Sequence, residues 1–306
     1  MEKRLFRHSH PVLFGFFILG GIFLMFWGGV TFFLARLGNP EHADLFSDKA
    51  GVGVLEVRGV IVASEDLTEQ LADFRRDDTV KAVVIRIDSP GGAVGASQEL
   101  FEEIKRTDEV KPVVASMASV AASGGYYAAL GARRILANPG TLTGSIGVIL
   151  KFANLQELFD KIGYKSEVVK SGILKDIGSA DRPMTEPERI FLQALIDNVH
   201  GQFVRAVMER RNLPEGKVRS LADGRIFSGE QAMENGLIDQ MGNFTDAVTL
   251  AASLANLDTD DPPIIYPEED DFSLLQLLTK RKAAGTLLNL IQNHYPVLSY
   301  QWTMNR

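Results

Sequence analysis

Three short stretches hold side chains and turns suited to acyl chemistry. The first is MASVAASGGYYAA around Ser123, where an apolar run passes into Ala, Ser and Gly. Small residues let a chain turn sharply from strand to helix and leave a serine hydroxyl open. Free backbone N–H groups at a helix start favour developing negative charge. The second is DSPGG over residues 88–92. Two glycines after a proline let N–H groups face a bound atom with no side chain in the way, as an oxyanion hole requires. The third is VVKSGILKDIGSADRP over residues 168–183, with Lys170 and Lys175. Each stretch also has a plainer reading: a packed small-residue turn, an ordinary strand-to-helix turn, a solvated surface lysine.

A serine nucleophile needs a base, and histidine is the usual one. The five histidines are His8, His10, His42, His200 and His294. Four lie near the ends of the chain, and His200 falls between apolar positions of a long helical pattern. A Ser-His-Asp arrangement is therefore disfavoured. A lysine can serve instead when an apolar site lowers its pKa and leaves a neutral amine. Lys175, flanked by Ile173, Leu174 and Ile177, is one candidate and Lys170 the other.

The elements that must position these groups read as α/β. Strand patterns cover residues 53–62, 80–88, 112–117, 132–139 and 143–150. Helical spacing covers 67–76, 95–107 and 121–132, and a long helix follows Met184, with Phe191, Leu195, Val199, Phe203 and Val207 as its apolar stripe. Alternating strands and helices predict a mainly parallel sheet with helices outside. No internal repeat is present. From Asp258 the composition turns acidic and proline-bearing, as a linker. FSLLQLLTKRKAAGTLLNLIQNH then has amphipathic helical spacing, suited to packing or, through Lys280, Arg281 and Lys282, to a membrane surface.

Composition removes several classes. With no cysteine, disulfides, thiolate metal sites and a cysteine nucleophile are excluded. A net charge of −7 argues against general nucleic-acid binding. Val12–Ala35 carries no charged residue and exceeds the roughly 20 residues that a spanning helix needs. Lys3, Arg4 and Arg7 precede it, while Glu41, Asp44 and Asp48 follow. Positive residues stay cytoplasmic, so the expected order is a cytoplasmic segment 1–11, an anchor 12–35, a linker 36–50, an extracytoplasmic domain 51–258, and a linker with an amphipathic tail over 259–306.

Taken together and in this order, VIRIDSPGG, SMASVAASGGYYAA, GTLTGSIGVI, KSGILKDIGSADRPMT and DGRIFSGEQAMENGLID resemble the signal peptide peptidase A family of serine peptidases, in its short form with a single peptidase unit. The likeness covers about residues 51–250. It implies a Clp protease- and crotonase-like fold of ββα turns behind one transmembrane helix. It places Ser123 on the nucleophile, Lys175 on the general base, Gly91 and Gly92 on the oxyanion turn, and Ser145 near the lysine amine, with Lys170 set aside.

The resemblance further implies a homo-oligomeric ring in the bacterial inner membrane, in which the lysine of one subunit meets the serine of the next. The expected substrates are remnant signal peptides and other membrane or secreted polypeptides, with no metal or other cofactor. Two rival readings stay open: a non-catalytic membrane scaffold of the same fold, and a crotonase-like acyl-CoA enzyme. An anchor with an extracytoplasmic domain counts against the second.

Overall fold

The computed structural model describes residues 19–31, 50–267 and 298–301. The chain divides into two units, Met1–Asp48 and Lys49–Arg306. In the first, residues 19–31 form helix α1. Its apolar side chains, Leu19, Phe23, Met25 and Trp27 among them, face outward. Phe23 and Trp27 stack one turn apart, with ring centroids 5.9 Å apart. Among the described residues no helix is long and apolar enough to cross a membrane. The remainder of the expected anchor, 12–18 and 32–35, lies outside the described residues.

The second unit is a mixed α/β domain on an eight-stranded sheet. Strands β1 (Gly51–Arg58), β2 (Val80–Ser89), β4 (Val113–Ala122) and β5 (Arg134–Ala137) pair in parallel in that spatial order. Between β2 and β4 in sequence lies the short strand β3 (Gly91–Ala93). β6 (Leu142–Gly144) continues the sheet beside the far end of β4, and β7 (Ile226–Ser228) runs antiparallel to β6. β8 (Gln240–Met241) pairs with β5, and β9 (Ile264–Ile265) pairs with β1.

The central strands are covered on both faces, which is why β2 and β4 read as nearly unbroken apolar runs rather than as alternation. Helices α2 (Glu65–Arg76) and α3 (Val94–Asp108) lie on one side, where Leu71, Phe74, Leu100 and Ile104 join Leu55, Ile85 and Ile87 in the main core. The other side is closed by helix α9 (Phe244–Leu254), whose Ala247, Val248, Ala251 and Ala252 pack on Val52, Val84 and Val114. An Asn243/Asp246 capping box starts α9.

Between them in sequence come α4 (Gly124–Ala129), α5 (Gln156–Ile162), α6 (Glu186–Arg211), α7 (Glu215–Leu221) and α8 (Gly229–Glu234). Several bounds differ from the sequence expectation. The strand expected over 112–117 continues to Ala122, and the helix expected over 121–132 is only Gly124–Ala129. Ladder bonds to β6 carry β4 onward, where composition alone suggested a helix. In α6 the stripe is only half internal: Val199, Phe203 and Val207 are buried, but Phe191 and Leu195 are exposed.

The stretch 259–306 is more than linker and tail. Ile264–Ile265 extends the main sheet, and β10 (Ser299–Gln301) runs antiparallel to β3 in a second, two-stranded sheet. The amphipathic helix expected over 272–294 lies outside the described residues.

Candidate active site

β2 and β4 end side by side, and the expected site residues hang from those ends. Past Ile87 the β2–β4 register slips, so that Ser89 sits opposite Ala121. Asp88 steadies the break by accepting a hydrogen bond from the Val120 N–H at 3.1 Å. The chain then turns through Pro90 into Gly91, whose φ of +96° is accessible to glycine at little cost. The Gly91 N–H donates to the buried Ser89 hydroxyl at 3.1 Å.

Gly92 is required for a different reason. A Cβ there would lie 1.9 Å from the Ile61 carbonyl oxygen. Ile61 straps the turn from outside: its N–H donates to the Gly91 carbonyl, and its carbonyl accepts from the Ala93 N–H at 2.7 Å.

β4 delivers Ser123 at the corner before α4. The serine has φ 55° and ψ −115°, a conformation rarely taken by a residue with a side chain. Two backbone bonds hold it: its N–H donates to the Gly144 carbonyl at 2.8 Å, and its carbonyl accepts from the Tyr127 N–H at 2.8 Å. Such strain persists only where the surroundings enforce it, and it gathers at functional sites. Ser123 is nearly fully buried in the chain.

The next residue gives a specific form to the helix-start amides that the sequence suggested only in general. A Cβ on Gly91 would lie 2.6 Å from the Gly124 nitrogen, and a Cβ on Gly124 would lie 3.0 Å from the Gly92 nitrogen. The turn and the start of α4 are thus pressed together, with the amides of Gly92 and Gly124 as neighbours. Two backbone N–H groups beside a serine at a strained corner can stabilise a tetrahedral oxyanion. Backbone donors carry no side-chain signature; the two consecutive glycines after Ser123 were the only available hint.

Ser145 follows Gly144, the residue that anchors Ser123. It also has positive φ, 50°, and its N–H donates to the Arg225 carbonyl at 2.8 Å. Thr143 ties this segment to β4 through its hydroxyl, donated to the Ala121 carbonyl at 2.7 Å. Gly91, Gly92, Ser123 and Ser145 therefore converge on one end of the sheet.

Lys175 is not bonded to any of them among the described residues. It lies exposed in a turn-rich segment, its N–H bonded to the Gly172 carbonyl. Among the described residues, no hydrogen bond or ion pair links it to Ser123. Lys170 is committed elsewhere: its ammonium pairs with Asp176 at 2.5 Å. Arg182 binds both Asp176 and Glu188, and so ties the Lys175 segment to the start of α6. His200 has a half-buried ring whose Nε2 is without a hydrogen-bond partner. Among the described residues, no group of three or more His, Cys, Asp or Glu could hold a metal.

Comparison with known proteins finds relatives named as proteases. Serine protease SPPA, chloroplastic, of Arabidopsis thaliana is 38% identical over 206 residues, covering 67% of this chain and 30% of that protein. Protease 4 of Haemophilus influenzae is 31% identical over 283 residues, covering 87% of this chain and 46% of that one. A protein of Synechocystis sp. is 52% identical over 179 residues, covering 58% of this chain and 65% of that one. The chain thus spans between about a third and two thirds of the length of these relatives. Among solved structures, a 1510-N membrane-bound stomatin-specific protease mutant aligns over 72% of this chain and 99% of its own, at 16% identity and a TM-score of 0.47. The sequence pattern of Peptidase family S49 matches residues 105–258, a span that contains Ser123, Ser145 and Lys175, and the chain belongs to that family.

Proposed function

We propose that this protein is a membrane-anchored serine endopeptidase in which Ser123 attacks a peptide carbonyl and Lys175 of a neighbouring subunit acts as general base. The observation that carries the reading is the strained Ser123 corner set against the Gly92 and Gly124 amides. Lys175 takes the hydroxyl proton as the Ser123 oxygen adds to the carbonyl, then gives it to the leaving amine. Water resolves the acyl-enzyme with the same base. The domain is a Clp protease-like ββα unit, and Ser145 orients the lysine amine.

Two features support a ring. Lys175 is exposed in the single chain, and among the described residues no hydrogen bond or ion pair joins it to Ser123. The segment that bears it is rich in exposed apolar side chains, including Leu158, Ile162, Val169 and Ile173. A patch of that kind marks an interaction site, and packing it against a neighbour would shield Lys175 from water. The uncharged run 12–35 supports an inner-membrane anchor with the peptidase domain outside the cytoplasm. Remnant signal peptides, held in the same bilayer, are the natural substrates of such an enzyme.

The test uses the full chain in detergent with a fluorogenic peptide. Ser123→Ala and Lys175→Ala are each expected to be inactive though assembled. Co-assembled, the two dead variants should regain part of the activity, because some interfaces then pair an intact serine with an intact lysine. Activity retained by Lys175→Ala would point to another base. An assembled parent that is inert towards peptides and unlabelled by a fluorophosphonate would make the protein a scaffold.

A further inference from the structure

The strap that holds the glycine turn from outside is short and tied at both ends. After β1, Gly59 takes a φ of +69° and its N–H donates to the Asp88 carbonyl at 2.9 Å. The chain then passes β3 and reaches Ser64, where α2 begins. Along this run Val60 and Val62 are exposed, and Ile61 alone enters the main core. Ile61 forms a parallel bridge to Gly92. It bonds the residues on either side, donating to the Gly91 carbonyl at 3.0 Å and accepting from the Ala93 N–H at 2.7 Å. In a parallel pairing of this kind the residue between the two partners turns its own N–H away. The strap therefore decides which way the Gly92 amide faces, and that amide is one of the two donors set beside Ser123.

The far end of the strap departs from ordinary helix capping. Ser64 is the N-cap of α2, where a serine hydroxyl normally accepts from the first helical N–H groups. Here it makes no such bond. The hydroxyl of this buried serine is donated instead to the Glu99 carboxylate on α3. Glu65 and Asp66 supply the negative charge that the start of α2 favours, and Glu65 also accepts from the Ser64 N–H at 3.1 Å. The serine is thus released from capping and ties the strap to α3. Two residues earlier on α3, the Ser97 hydroxyl lies 2.4 Å from where a Cβ on Gly124 would be. One helix therefore reaches both donors: Gly124 through Ser97, and Gly92 through Glu99, Ser64 and Ile61.

We propose that Glu99 is a positioning residue for the oxyanion hole: through the Ser64 hydroxyl it fixes the Ile61 strap, and through the strap it aims the Gly92 amide at the oxygen of the tetrahedral intermediate. The inference rests on the peptidase reading. Glu99 itself sits at the surface and is joined to the site only through this relay. Its effect falls on the transition state, because a preorganised donor binds the developing oxyanion more strongly than the ground-state carbonyl. With the tie cut, the turn still accepts a peptide, but the donor is misdirected when charge develops.

The full chain in detergent tests this, with a fluorogenic peptide as substrate and a peptide aldehyde as inhibitor, since the aldehyde adduct of a serine places an oxygen in the hole. Glu99→Ala should lower kcat about 10-fold with KM little changed, and should weaken the aldehyde by the same factor. Ser64→Ala should do the same, and the double variant should lose no more than either single one, because both cut one tie. Glu99→Gln should recover most of the turnover, as its amide oxygen still accepts from the Ser64 hydroxyl. Glu102→Ala removes a charge from the same helix and should leave turnover unchanged. Full turnover in Glu99→Ala overturns the inference and leaves the peptidase reading intact. So does a loss carried by KM with aldehyde inhibition preserved, a loss that Glu99→Gln does not recover, an equal loss in Glu102→Ala, or a loss that sedimentation velocity traces to disassembly. A parent inert towards the peptide and unbound by the aldehyde overturns both.

Discussion

Ser123 is the most constrained residue of the site, and its conformation makes an energetic prediction separate from catalysis. At φ 55° and ψ −115° a Cβ is strained, at a cost on the order of 1–3 kcal/mol. Ser123→Ala retains that strain and Ser123→Gly relieves it, though glycine gives back part through unfolded-state entropy. Both variants should be inactive, with Ser123→Gly the more stable by about 1 kcal/mol in denaturant unfolding. Equal midpoints would mean that the corner relaxes once the hydroxyl is gone. Gly124→Ala tests the second amide. Its Cβ would meet the Ser97 hydroxyl at 2.4 Å and crowd the Gly92 nitrogen at 3.0 Å. A small hydroxyl can swing aside, whereas the amide cannot. Turnover should therefore fall about 100-fold with only a modest loss of thermal stability, and adding Ser97→Ala should restore stability without restoring turnover. The Ser123 stretch and the SPGG turn stood out in the sequence as candidate turns, because a few residues of fixed type set the backbone locally, but it was the family resemblance that chose them over their plainer readings. The Gly124 amide did not stand out, since every residue except proline has one.

At the scale of elements, the segment that carries Lys175 is fastened by a charge cluster rather than by a core. Glu188, almost wholly buried at the start of α6, accepts from Arg182 at 2.5 and 2.9 Å and from the Thr185 N–H at 2.8 Å. Hydrogen bonds from Arg182 first, then from Thr185, hold its carboxyl at about 2, against an ordinary 4.5. Asp176 is lowered likewise, by Lys170 and then Arg182. Both carboxylates are depressed on folding, so the stabilisation is present above the ordinary carboxylate range and is lost as pH falls through the folded values. Amide exchange over residues 172–182 should accelerate as pH drops from about 4.5 towards 2, once corrected for intrinsic rates, while β2 and β4 stay protected. Glu188→Gln should loosen the same amides at neutral pH and lower turnover with the core intact. An unchanged segment would show that the cluster is ornamental. The parallel sheet was readable from β-branched apolar runs in β1, β2 and β4. The strands β9 and β10 were not: each has at most three residues, and β10 meets a partner about 200 positions away, so no local pattern marks either one.

At the scale of the whole molecule, the misread half of α6 becomes informative. The spacing of Phe191, Leu195, Val199, Phe203 and Val207 fits one helical face, yet along that stripe burial begins only at Val199. Ile190 and Phe191 are 59% and 50% exposed in the single chain. Apolar periodicity reports that a face is covered, not by what, so a stripe made for a neighbouring subunit looks identical to one made for the chain's own core. The same ambiguity hides Lys175: its partner serine is expected on another copy, and no spacing within one chain encodes that. Phe191→Asp should therefore leave the domain folded, with its unfolding midpoint little changed, because the substituted side chain already faces solvent. On the proposed ring, the assembly should fall apart in sedimentation velocity and peptide cleavage should disappear with it, since the proposal has Lys175 of one subunit serve Ser123 of the next. An intact assembly would place the interface elsewhere. Dispersed subunits that retain full activity would show that each chain completes its own dyad, and the exposed position of Lys175 would then have to close by movement of the 165–182 segment onto its own Ser123.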